Sequence, residues 1–105
     1  MMCALTARTL KPGTFDEFRA AFLGDENADV APEGWVRFNM LRSSERPDEV
    51  VTFGFFDGSL DELRSSASEH GYAEQMEKIA PFVESVGTDG LYEVVEDRSM
   101  PPLRR

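Results

Sequence analysis

His70 is the only histidine in the chain, and an imidazole near its unperturbed pKa both takes and gives a proton around neutrality. It stands in the run SEHGY, where Tyr72 follows closely and offers a phenol able to donate a hydrogen bond to a bound carbonyl. Earlier, WVRFNMLRS alternates so that Trp35, Arg37, Asn39 and Leu41 share one strand face, giving two polar groups suited to holding a developing oxyanion. His70, Asn39 and Tyr72 are therefore the candidate catalytic groups. Trp35, Arg37, Phe53 and Phe56 are the candidate substrate-binding residues, the three aromatic rings supplying flat apolar surface and Arg37 a positive charge. Each also has a plainer role: a helix-capping histidine beside Glu69, an Arg37 paired with a surface carboxylate, an Asn39 facing a partner, a packing Tyr72, aromatics that are simply core.

Other chemistries lack their residues. With one cysteine and one histidine, a zinc site would need almost all its ligands from carboxylates, so no metal is expected. The glycines form neither GxGxxG nor GxxxxGK, and no nucleotide or other cofactor is expected. Asp57, Asp61, Glu62 and Glu69 flank helix starts, as caps and solvated acids do. Cys3 reads as a small buried residue near the first strand, and a lone cysteine suits a reducing compartment. Eleven basic against twenty acidic residues leave a net charge of −9, which repels nucleic acid and anionic lipid. No run approaches the roughly 18 apolar residues of a membrane span, and MMCALTARTLK is too short and strand-like for a signal peptide. A cytoplasmic protein is the expectation.

The elements that must position these groups follow from local pattern. At 105 residues one domain is the default, taken as 1–97 with a tail over 98–105. MCALTARTL, 2–10, suits a first strand, and Lys11, Pro12 and Gly13 a turn. Thr14 with Glu17 has capping-box spacing before Phe15, Phe18 and Phe22, predicting a helix over 14–23. The acidic segment 24–34 reads as a frayed helix end and loop. Strands are predicted over 35–43 and 49–56, joined by a turn containing Pro47. Ser59 and Glu62 repeat the capping-box spacing, and the helix they launch breaks around Ser68 to Gly71 before resuming through Met76 and Ile79 to Pro81. A linker with Gly87 and Gly90 then precedes a last strand, 91–97.

The order β-α-β-β-α-β is the split βαβ arrangement of an α+β, ferredoxin-like fold with a four-stranded antiparallel sheet. Its helices cover one face of the sheet. A sheet with one wet face should alternate cleanly between apolar and polar, yet EVVTFGFF is apolar on both sides. The second face needs a cover, and a second copy of the chain is the simplest, giving a homodimer through sheet faces.

The run from TLKPGTFDEF through GWVRFNMLRSSERPDEVVTFGFFDGSLDELRSSASEHGYAEQM to the closing strand resembles the antibiotic biosynthesis monooxygenase-like branch of the dimeric α/β-barrel superfamily. The shared features are Lys11-Pro12-Gly13 before the first helix, Gly34 before the second strand, the 44–48 turn, aromatic Phe53 to Asp57, and a broken helix holding Ser68 to Tyr72. The resemblance implies a dimer whose sheets face each other in a barrel, with a pocket in each subunit between sheet and helices. It also implies cofactor-independent monooxygenase or isomerase chemistry on a small apolar or aromatic oxygen-bearing compound, by deprotonating it for reaction with dioxygen. Phe56 stands where oxygen-using members often carry tryptophan. No asparagine occupies the first strand and His70 precedes the position of the haem ligand in relatives, so haem is not implied. The alternative on the same scaffold is a non-catalytic dimeric ligand-binding or interaction module.

Overall fold

The computed structural model describes residues 1–24 and 32–101. Residues 25–31, within the expected loop, and 102–105 of the tail lie outside that description. The elements run β1 (Met2–Leu10), α1 (Phe15–Leu23), β2 (Trp35–Arg42), β3 (Glu49–Phe56), α2 (Leu60–Glu69), α3 (Tyr72–Ile79), a 3₁₀ turn (Ala80–Phe82) and β4 (Val83–Glu93). They form a four-stranded sheet of order β2-β3-β1-β4, antiparallel throughout. This is the ferredoxin-like arrangement, with the second helical segment in two pieces divided by Gly71 at φ 78°.

The two expected capping boxes behave differently. Ser59 sits in extended backbone, accepts from the Glu62 N–H at 3.1 Å, and its own N–H donates to Glu62 Oε1 at 3.1 Å. The box at Thr14 does not form. With ψ at 13°, its side chain is not aimed at the helix N–H groups. Its hydroxyl instead lies 2.7 Å from the Lys11 carbonyl and 3.3 Å from that of Phe82, which ties the β1–α1 turn to the entrance of β4.

Burial alternates without exception along β3. Val50, Thr52, Gly54 and Phe56 are buried beneath the helices, whereas Val51, Phe53 and Phe55 are half-buried on the opposite face. Val50 joins Leu10, Phe18 and Ile79 in the core cluster, so the core lies between sheet and helices. Removing one such side chain from water contributes about 1.5–3 kcal/mol. Cross-strand pairing puts Cys3, Leu5 and Ala7 of β1, Leu41 of β2 and Tyr92 of β4 on the face that carries no helix. Burial raises the Cys3 thiol pKa above its ordinary value, which disfavours the thiolate.

Two further expectations are corrected. Trp35 does not share a face with Arg37, Asn39 and Leu41, because the β2–β3 register slips between Trp35, opposite Phe56, and Arg37, opposite Phe55. The extra residue turns Trp35 toward the helices, where it meets Phe56 edge to face with ring centroids 5.2 Å apart. The last strand, for its part, spans Val83–Glu93 instead of 91–97, and includes both Gly87 and Gly90. Pairing with β1 supplies the ladder that local composition does not favour, with register shifts between Thr6 and Arg8 and between Thr9 and Leu10.

Candidate functional site

Arg8 extends from the helix-facing side of β1, the side that also carries Leu10, and is only 6% exposed. Its Nη1 donates to Thr52 Oγ1 at 2.8 Å, and Nη2 approaches Met76 Sδ at 3.7 Å. The guanidinium carbon lies 5.8 and 5.6 Å from the ring centroids of Phe18 and Phe22, within cation–π range. Among the described residues its charge has no ion-pair partner. Burial lowers the Arg8 pKa, and the nearby Tyr72 and Asp89 oppose that shift. A guanidinium nevertheless stays protonated in proteins. A cation has therefore been drawn into the core region and met at close range by a hydroxyl, a thioether and aromatic faces, with the Asp89 carboxylate acting on it from across the cleft without an ion pair.

Arg8 helps line a cleft of about 300 Å³ between β1, β4 and α3. Met76, Ile79, Val83 and Val86 make apolar walls, while Thr6, Tyr72 and Asp89 bring polar groups. The cross-strand partners Thr6 and Asp89 are joined by a hydrogen bond from the threonine hydroxyl to Oδ1 at 3.0 Å. Tyr72, half-exposed, opens α3 just after Gly71. Gln75, one turn along, donates from Nε2 to the Phe22 carbonyl at 2.7 Å and anchors α3 to α1. Such a cleft suits an apolar ligand with an oxygen-bearing end near the cation.

A second, wider groove of about 740 Å³ lies between the start of β2 and α2. Its lining includes Glu33, Asp57, Asp61, Glu62, Glu69 and His70. Beneath α2, Trp35 Nε1 donates to the buried Ser66 hydroxyl at 3.1 Å. His70 caps the end of α2, its backbone N–H bonding to the Ser66 carbonyl, and its side chain is exposed. Among the described residues, no group of three or more His, Cys, Asp or Glu side chains is placed to hold a metal ion.

The residues singled out from sequence thus occupy three places. Tyr72 lines the Arg8 cleft; His70 and Phe56 line the acidic groove, with Trp35 packed against Phe56. Asn39, Arg37 and Phe53 lie on the helix-free face. The left-handed turn at Gly71 separates His70 from Tyr72, sending near neighbours in sequence to different cavities. Arg8 is the residue that sequence reasoning passed over. Its signal was faint but present: a cation in register with Leu10 on a strand whose even-numbered side faces the core.

Solved structures share this architecture over nearly the whole chain. A candidate antibiotic biosynthesis monooxygenase from Deinococcus radiodurans aligns with TM-score 0.77 and 12% identity, covering 97% of this chain and 100% of that one. One from Caulobacter crescentus gives TM-score 0.75 and 14% identity over 90% of each chain. One from Chloroflexus aurantiacus gives 0.73 and 15%, covering 96% of this chain and 100% of the other. The chain has their fold. At such identities the likeness concerns architecture, and site residues are argued from this chain alone. No model of a protein family matches the chain, and no curated protein matches it.

Proposed function

We propose that this protein is monooxygenase-like and binds a small apolar or aromatic oxygen-bearing compound between sheet and helices, using no cofactor. The observation that carries this reading is the convergence of buried Arg8 and half-exposed Tyr72 on a cleft walled by Met76, Ile79, Val83 and Val86, with Thr6 and Asp89 also on its lining. The cation holds the ligand's oxygen-bearing end, and the Tyr72 phenol donates to an oxygen nearer the mouth. In the reaction, a phenolic substrate loses its proton and reduces dioxygen; one oxygen atom enters the ring to give a quinone, and the other leaves as water with two substrate hydrogens. The fold shared with candidate antibiotic biosynthesis monooxygenases supports this class of chemistry.

The proposal includes a cytoplasmic homodimer closed through the helix-free faces. Half-buried Phe53 and Phe55 and half-exposed Leu41 and Tyr92 form an apolar surface that a second sheet would remove from water. Asn39 and Arg37, on that face, would then serve the interface or approach the partner's ligand. The alternative of a non-catalytic dimeric binding module draws its support from His70, which faces the acidic groove, and Asn39, which faces away from the helices.

Oxygen uptake in the presence of polycyclic phenols tests the catalytic reading. Substrate-dependent uptake that falls in Tyr72→Phe is the expected result. Tight binding of such compounds without any uptake would favour the binding module instead.

A further inference from the structure

Resting on the cleft reading above, we propose that Arg8 is the receptor for a carboxylate carried by the apolar ligand. A buried cation is costly unless a partner neutralises it. Arg8 is 6% exposed, has no ion-pair partner among the described residues, and directs hydrogen bonds only to Thr52 and Met76. A guanidinium has five N–H donors in a planar fork, and the bonds to Thr52 and Met76 account for two of them. Met76 sulfur is a weak acceptor, at 3.7 Å from Nη2, and occupies a direction that a carboxylate oxygen would use better.

Charge selects the ligand further. The site has one cation, and Asp89 stands on the same cleft. A dianion such as a phosphate monoester would set two negative charges against a single cation and close to that carboxylate, a monoanion only one. A phenolate presents a single oxygen, whereas a carboxylate presents two in the spacing of the fork. The walls from Met76, Ile79 and Val86 call for an apolar body. An aromatic or alicyclic monocarboxylate meets all of these conditions.

The test compares 2-naphthoate, its neutral isostere 2-naphthamide and 2-naphthol by isothermal titration calorimetry on the full chain. The wild type should bind the naphthoate at least about tenfold more tightly than the amide, as hydrogen bonds to charged groups usually confer. Arg8→Met should abolish that preference while melting at the same temperature or higher, because a buried charge without an ion-pair partner among the described residues has been replaced by an apolar chain. Naphthoate should also shift the Met76 methyl resonance in protein labelled with ¹³C-methyl methionine. Equal binding of naphthoate and amide overturns the carboxylate assignment and leaves the cleft reading standing. Tighter binding of naphthol overturns it in favour of a phenolate. Binding of none of the three overturns the cleft reading itself. Should Arg8→Met fail to fold, Arg8→Lys keeps the charge without the fork and should lose most of the preference; full retention would overturn the proposal.

Discussion

Thr52 Oγ1 accepts a hydrogen bond from Arg8 Nη1 at 2.8 Å, joining neighbouring strands β1 and β3 on the buried side of the sheet. Both residues are almost wholly shielded from water. The hydroxyl therefore helps set where the guanidinium points.

Thr52→Val retains the branched shape and removes that acceptor. One buried N–H then goes unpaired, and unfolding in urea should register a loss of about 1–3 kcal/mol. Thr52→Ser, which keeps the hydroxyl, should recover most of it.

Trp35 is the single tryptophan, and its indole N–H donates to the buried Ser66 hydroxyl at 3.1 Å. Ser66→Ala leaves the donor without that acceptor, at a cost of about 1–3 kcal/mol. Tryptophan fluorescence reads both the altered environment and the lower denaturation midpoint. An unchanged midpoint would place no stabilising role on this bond.

Gly34 has φ 96°, a region that residues with a Cβ rarely adopt, and an added Cβ would collide with the Phe56 ring. Phe56 is buried and paired with Trp35, so it has little room to yield. Gly34→Ala should destabilise by about 2 kcal/mol or more, from backbone strain and ring displacement together. Thermal melting checks it.

Hydrogen bonds from the backbone N–H and the side chain of Ser59 lower the Glu62 pKa below its ordinary value. The folded-state pKa lies below the unfolded one, so the associated stability is full above the ordinary glutamate range and is lost as pH falls through the native value. Ser59→Ala should cost about 1 kcal/mol near neutrality. The gap between wild type and variant should narrow as the solution is acidified, and a constant gap would assign the cap's effect to the hydroxyl alone.

Phe55 sits on β3 in the middle of the helix-free face, opposite Cys3 on one side and Arg37 on the other. Phe55→Glu should convert the proposed dimer to a monomer in light scattering. Val95→Glu, at an exposed position outside the strands, should leave the mass unchanged.

Local pattern carried much of the fold. The alternation of β3, the reciprocal Ser59–Glu62 cap and the helix break at Gly71 depend on residues a few positions apart, and each stands where its spacing places it. Thr14 and Glu17 had the same spacing, but the Thr14 hydroxyl found carbonyl acceptors at Lys11 and across the fold at Phe82. A local motif holds only while no tertiary partner competes for its atoms.

From the chain by itself came the order of elements, the ferredoxin-like class and the excess of apolar surface on the sheet. Tertiary structure decided which face Trp35 takes, how far β4 extends, which cavity receives His70 and which Tyr72, and that Arg8 is buried at all. The reason is geometric: backbone preference and side-chain alternation act within one element, whereas a register slip or a buried cation exists only once strand meets strand and helix closes over sheet.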